Sequence, residues 1–354
     1  MPNIVYLLGA GASARALPVI SDMNSRMEKF LNHFIPFLVR QEYGNTRDFS
    51  QLRSKFCDLL ESAKKHSTID TYAKKLFLQK NIDDLQLLKF FISTYLIYEQ
   101  TLIVPPKAEK FRNDENLYWE GEGVLDSRYD SFLAAALYQY KDMLLLNQKI
   151  SILSWNYDYQ LELSYKDFSD CTLNASRERL KFFNDLPSAT PYECKVVKLN
   201  GTADLVETRS QGKINGSTSL FPVSTDQSRY SSIYKALMIS DSILNGGNQE
   251  SFSNIKFAWE TEQDGDNSRK IEAAKYIVQN ASVLVIIGYS FPVFNRVIDK
   301  EIFSNNQFQR IYFQCLEHES EGIRSRIVNT LQIPTSVNLN YINDLSQFYL
   351  PYEL

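Results

Sequence analysis

Ser282-Val283-Leu284-Val285-Ile286-Ile287-Gly288 constrains the fold of this chain more than any other run: it is almost continuously apolar, rich in β-branched residues and closed by glycine. A strand can be apolar at every position only if both of its faces are buried, as in a parallel sheet covered by helices. Ile4-Val5-Tyr6-Leu7-Leu8, Ile150-Ser151-Ile152-Leu153-Ser154 and Lys195-Val196-Val197-Lys198-Leu199 repeat the pattern, and Ile311–Phe313 and Val337–Asn340 add two shorter runs. Segments of helical period lie between them, which predicts βαβ units. The fold class is therefore read as α/β, a Rossmann-like parallel sheet with a large helical insertion.

Met23, Met27, Phe30, Leu31, Phe34 and Leu38 fall at helical spacing, with a kink expected at Pro36. Residues 46 to 148 read as almost wholly helical. Ser67-Thr68-Ile69-Asp70 has capping-box spacing. Leu88, Phe91, Ile92, Tyr95 and Leu102 mark a helix that Pro105-Pro106 ends, Trp119 to Gly123 reads as a loop, and Asp130 to Leu146 as a helix. Residues 208 to 231, rich in Ser, Gly and Thr, read as a surface loop. The expected organisation is one domain of residues 1–30 plus 149–354, interrupted by a helical subdomain at 31–148.

The chain has 354 residues and a formal net charge of -4, with no long basic run, so direct nucleic-acid binding through phosphate contacts is not expected. Its aromatic content, 21 Tyr and 22 Phe, points to a large core. Cys57, Cys171, Cys194 and Cys315 are scattered with no C-x-x-C pair, which argues against a zinc ribbon and for reduced thiols. His33, His66 and His318 lie in unrelated settings and support no metal site. No apolar run has the length of a membrane span, and the opening residues lack the features of a secretory leader; a cytoplasmic protein is expected.

Gly9-Ala10-Gly11-Ala12-Ser13 follows a strand and precedes a helix, the context of a phosphate-binding turn. Gly9 would permit the tight turn and Gly11 the approach of a pyrophosphate. The third glycine of the dinucleotide fingerprint is absent, as is an acidic ribose ligand about 20 positions on, which disfavours an ordinary dehydrogenase. Three further stretches end strands: Ser154-Trp155-Asn156-Tyr157-Asp158 with Glu162 beyond it, Leu199-Asn200-Gly201-Thr202-Ala203-Asp204, and Ile287-Gly288-Tyr289-Ser290-Phe291-Pro292. In an open α/β sheet, loops at strand carboxyl ends converge on one ligand crevice. Asn156 can equally be a helix cap or an Asx-turn residue, and Asp158 the N-terminal charge of the next helix. Tyr289 and Phe291 also read as packing residues.

In order and spacing these motifs resemble those of sirtuins, most of all the sirtuin-like domains of bacterial anti-phage NAD hydrolases, over residues 4 to about 315 and weakly within 40–140. The resemblance implies that Gly9, Ala10, Gly11 and Ser13 hold the pyrophosphate of NAD. It places Asn156 and Asp158 at the nicotinamide ribose and Gly288 and Ser290 on the adenosine side. Gln314 stands near the adenine ribose, where the family usually has Asn. Gly201 and Tyr289 complete the candidate nucleotide set, and Asn156, Asp158 and Asn200 the candidate catalytic set. Two departures matter. Asn200 stands where the family has its histidine base, and an amide has no useful pKa near neutrality. The zinc module of the deacylases and the Asp-Phe-Arg residues after Pro18 are also missing, with Val19-Ile20-Ser21 in their place.

The resemblance implies NAD+ hydrolysis to nicotinamide and ADP-ribose, without zinc. The alternatives are a sensor that binds NAD or ADP-ribose without turnover, and an assembly module in which the helical block supports a homo-oligomer or receives a partner protein from the same operon.

Overall fold

The computed structural model describes residues 3–18, 20–36, 48–101, 125–183, 190, 192–210, 213–220, 230–247, 250–260 and 265–354. They fall into two compact units, each discontinuous in sequence. The first comprises Met1–Ala14, Asp126–Gly201 and Lys256–Leu354, the second Arg15–Leu125 and Thr202–Ile255. This division differs from the expected one at 31–148: residues 126–148 go with the sheet, and 202–255 join the helical block.

The first unit is built on β1 (Ile4–Leu8), β4 (Ile150–Ser154), β5 (Val196–Lys198), β9 (Val283–Ile287), β10 (Arg310–Gln314) and β11 (Asn338–Ile342), all parallel, in the spatial order β11-β10-β9-β1-β4-β5. Numbered by their appearance within this sheet, the strands run 3-2-1-4-5-6, the order of dinucleotide-binding Rossmann folds. The α/β Rossmann-like reading is thus correct. Alternate side chains serve two cores: Val5, Leu7, Leu153, Val197, Leu284 and Ile286 on one face, Ile4, Tyr6, Leu8, Ile152, Val196 and Val285 on the other. Helices α5 (Ser127–Ala136) and α6 (Gln160–Ser169) cover the second face through Phe132, Leu133, Leu161 and Tyr165. The short α7 (Leu173–Arg179) follows, then α9 (Gly265–Gln279), α10 (Arg296–Ile302) and α11 (Ser320–Leu331).

The strand ends are level. Leu8 pairs with both Ser154 and Ile287, Ser154 with Lys198, Ile287 with Gln314, and Gln314 with Ile342. The last residues of the strands therefore form a straight row, and each motif starts one step past it.

The helix expected to run from Asp130 to Leu146 stops at Ala136. Beyond it lies a hairpin, β2 (Leu137–Tyr140) with β3 (Met143–Leu146), turning at Lys141 with φ 52°. Tyr-Gln-Tyr and Met-Leu-Leu-Leu suit either period, and the left-handed turn residue decides for the strand pair.

In the second unit, α1 (Ile20–Lys29) runs into a π turn at Phe30–Phe34, one turn ahead of the kink expected at Pro36. Proline has no N–H to return to the Asn32 carbonyl, so the ladder is already disturbed there. Helices α2 (Ser50–Ala63), α3 (Ile69–Leu78) and α4 (Ile82–Thr101) follow, with Arg26 paired to the buried Glu99 of α4. The cap of α3 is Thr68, whose hydroxyl accepts from the Thr71 amide, rather than Ser67. Pro105-Pro106 and Trp119–Gly123 lie outside the described residues. The stretch read as a loop at 208–231 holds a hairpin instead, β6 (Leu205–Ser210) with β7 (Lys213–Ser219), joined by β8 (Ser251–Ser253) and followed by α8 (Tyr230–Leu244). Buried Glu207 of β6 is satisfied locally, by Arg209 and by Asn254 Nδ2 at 2.8 Å, and Gly216–Ser219 of β7 are exposed or half-buried, so no apolar alternation marks the two strands. Among the described residues no helix is long and apolar enough to cross a membrane.

Candidate functional site

The site lies in the first unit, at the row of strand ends where β1 and β9, adjacent in space, belong to opposite halves of the strand order. Such a switch point is where an open α/β sheet leaves a crevice for a ligand. Gly9–Ser13 leaves β1 and Gly288–Pro292 leaves β9, so the two glycine turns meet there.

They meet backbone to backbone. The Gly9 amide donates to the Ile287 carbonyl and the Gly11 amide to the Gly288 carbonyl, both at 3.0 Å, while the Ala12 amide closes a 3-10 turn on Gly9 O at 2.8 Å. A Cβ on Gly9 would stand 2.5 Å from Gly288 O, and one on Gly11 2.7 Å from Gly288 Cα. Gly288 has φ +60°, and a Cβ there would lie 2.4 Å from Gly11. These glycines are thus explained by loop-to-loop contact, a reason the sequence did not reveal. The amides of Gly9, Gly11 and Ala12 are committed to protein carbonyls and are not phosphate donors in this arrangement. Ala10 is exposed at the tip of the turn, whereas Ser13 is buried with its Oγ 3.4 Å from the Tyr129 hydroxyl.

Asn156 follows β4 and is buried. Its Nδ2 donates to Gly9 O at 2.9 Å and its backbone N–H to Ser154 Oγ at 3.2 Å, so it latches the first glycine turn to the β4 loop. Its Oδ1 takes no hydrogen bond from a described residue. Asp158, also buried, accepts from the Gln160 amide at 3.1 Å, which fits the reading of it as the charge at the start of α6. Glu162 is fully buried beneath, with Arg177 and Lys198 at 3.5 and 3.6 Å. Lys198 Nζ in turn donates to the Asp158 carbonyl.

Asn200 follows β5. Its Nδ2 donates to the Trp155 carbonyl at 3.0 Å, and its own carbonyl accepts from the Lys256 amide at 2.9 Å. Its Oδ1 is buried without a donor among the described residues, the kind of orphaned acceptor that a ligand hydroxyl would satisfy. Gly201 beside it adopts φ 73°, as the turn requires. Tyr289 is buried, with its hydroxyl on Asp299 at 2.7 Å, while Ser290 is exposed. Phe291 is fully buried at φ 53°, a left-handed conformation that a bulky residue keeps only where packing imposes it. The packing alternative for Tyr289 and Phe291 therefore describes both. Gln314 is turned to the chain's own backbone: Nε2 donates to the carbonyls of Asp344 and, at 2.6 Å, Gln347, and Oε1 accepts from the Tyr349 amide at 3.4 Å.

Several residues of the site carry no motif. Asp126 caps α5 and takes both Nε and Nη2 of Arg128, at 2.8 and 2.6 Å, while the same Nη2 donates to Gly11 O at 2.9 Å. Arg128 also lies over the Phe348 ring, 5.2 Å from its centre. Burial and the Asp158 charge hold the Tyr129 phenol well above its ordinary pKa. Asp299, on α10, is pushed up from the ordinary carboxylate value to about 7 by burial. The Asp-x-Arg pattern before α5 was a legible cap signal; nothing in sequence tied it to Gly11, more than a hundred residues away.

The structure thus gathers Gly9, Gly11, Asn156 and Gly288 by direct contact and joins Asn200 to them through Trp155. Among the described residues no three His, Cys, Asp or Glu side chains gather as a metal site. No protein-family model matches the chain, and no curated protein matches it in sequence.

Proposed function

We propose that this chain is a sirtuin-like protein that binds NAD across the crevice between the β1 and β9 turns and hydrolyses its nicotinamide–ribose bond. The observation that carries the reading is the 3-2-1-4-5-6 strand order with a glycine turn on each side of its switch point. Two amide oxygens without donors among the described residues, Oδ1 of Asn156 and Oδ1 of Asn200, match the hydroxyl groups of a ribose and an attacking water. Cleavage of an N-glycosidic bond passes through a cationic, oxocarbenium-like sugar, so placement of water and nearby negative charge matter more than a strong base. Asn156 orients the water, and the buried carboxylate of Asp158 supplies the charge. In this reading the protein is a cytoplasmic effector of anti-phage defence, assembled as a homo-oligomer or with a partner protein encoded beside it.

A second reading, nucleotide binding without turnover, is favoured by a specific observation. The Nδ2 groups of Asn156 and Asn200 both hold main-chain carbonyls, and neither side chain can take up a proton. One experiment separates the two: incubate the full chain with NAD, quantify free nicotinamide, and measure NAD and ADP-ribose binding by calorimetry. Nicotinamide release that Asn156→Ala abolishes supports hydrolysis, binding without release supports the sensor, and the absence of binding refutes both.

A further inference from the structure

Asp299 is a fully buried carboxyl in the first turn of α10, and each of its oxygens is taken by a neutral donor. Trp155 Nε1 donates to Oδ1 at 3.1 Å and the Tyr289 hydroxyl to Oδ2 at 2.7 Å, while the Tyr289 oxygen accepts from Asn295 Nδ2 at 3.1 Å. The indole and phenol rings stack, 6.2 Å apart and 13° from parallel. Trp155 is also tied to Leu8 O through its amide and to Asn200 through its carbonyl, both at 3.0 Å. A continuous chain, Asn200–Trp155–Asp299–Tyr289–Asn295, therefore links the loops that follow β5, β4 and β9. Among the described residues no cation balances the carboxyl: burial, Tyr289 and Trp155 are what act on its ionisation, and Lys275 of the neighbouring α9 is paired with Glu301 on an exposed face. A buried, unpaired acid is costly where an apolar residue would pack without penalty.

We propose that Asp299 is a positioning residue of the crevice: its carboxylate pins Trp155 and Tyr289 together, and with them Asn156 and Gly288, so that protonation of Asp299 loosens both loops. The functional consequence rests on the nucleotide-binding reading given above. A carboxylate accepts from both donors at once. If Oδ2 is protonated, its O–H donates to the Tyr289 oxygen, which already accepts from Asn295, and the phenol proton loses its acceptor. If Oδ1 is protonated, its O–H faces only the donor Trp155 Nε1. Either way one buried group is left unsatisfied. Burial sets this change near pH 7. The ionised form is globally the less stable, because burial disfavours it, yet locally the better ordered, because hydrogen bonds to a charge are stronger. Binding and stability should therefore change in opposite directions with pH, which a purely structural carboxyl would not produce.

The test follows three quantities between about pH 5 and 9 on the full chain. They are the denaturant midpoint, the emission of Trp155 with Trp119 and Trp259 replaced by Phe, and the calorimetric affinity for NAD and ADP-ribose. As pH rises through the Asp299 midpoint, affinity should rise roughly tenfold or more, stability should fall, and Trp155 emission should shift with the same midpoint. Asp299→Asn should flatten all three. Tyr289→Phe, which removes a bond favouring the charged form, should move the midpoint upward and serves if Asp299→Asn does not fold. An emission profile without this midpoint, or one that Asp299→Asn or Tyr289→Phe leaves unchanged, overturns the proposal. If Trp155 titrates as expected while no nucleotide binds at any pH, the nucleotide reading fails and the control of the loops by Asp299 stands.

Discussion

Gly11 and Gly288 occupy each other's side-chain space: the amide of the first donates to the carbonyl of the second at 3.0 Å, and a Cβ on either would fall within 2.4–2.7 Å of the other's backbone. Substitution here acts on the fold before it acts on a ligand. Gly11→Val, which the sequence alone presents as a block to pyrophosphate, is expected to part the β1 and β9 turns. Gly288→Ala adds a residue with a side chain at φ +60°. Each should lower stability by more than about 2 kcal/mol, read as a fall in denaturant midpoint. A Gly11→Val protein as stable as the wild type, yet unable to bind NAD, would restore the pyrophosphate explanation.

Asn156→Ala removes one of the two donors to Gly9 O, the Ala12 amide being the other. The carbonyl keeps its bond from the Ala12 amide, so losing the second donor should cost about 0.5–1.5 kcal/mol. If the site hydrolyses NAD, nicotinamide release should fall on the order of a hundredfold or more. Turnover that survives this change places the catalytic centre elsewhere.

Asn200 offers the reverse experiment. Asn200→His puts a titratable ring where only an amide stands, and turnover should rise by up to roughly 10²–10⁴-fold if a general base is what the site lacks. Asn200→Ala, which removes the Oδ1 offered to a ribose hydroxyl, should weaken NAD binding and change turnover at saturating NAD little. A large loss of turnover in a well-folded Asn200→Ala protein would mean that the amide itself acts on the substrate.

Gln314→Ala should act on the segment that follows β11. Its side chain serves the main chain at Asp344, Gln347 and Tyr349, and Phe348 between them lies against Arg128. Hydrogen exchange at the Tyr349 amide should accelerate strongly, and NAD affinity should fall less than in Asn156→Ala. An affinity loss without faster exchange would assign Gln314 to the ligand.

The parallel strands were legible because burial on both faces writes itself as continuous apolar sequence, and Ile4–Leu8 and Val283–Ile287 were placed within a residue or so. The β2–β3 and β6–β7 hairpins were not: one is aromatic and leucine-rich at a helix-compatible spacing, and the other buries Glu207 among polar partners. At the site, the motif positions could be read along the chain but their partners could not. That Gly9 needs Asn156, Gly11 needs Gly288 and Trp155 needs Asp299 are contacts between residues far apart in sequence, with no local periodicity to announce them.

The level ends of the strands turn strand length into a ruler. One residue inserted just before Ile150 would be absorbed at Gln148–Lys149, whereas one inserted between Ile152 and Asn156 would carry the asparagine past Gly9 and swing the following side chains to the opposite face. Length changes in related chains should therefore gather in the helices and their connections, and be absent from the few residues that lead into each turn. A relative with a gap inside one of those strands would have to have rebuilt the crevice.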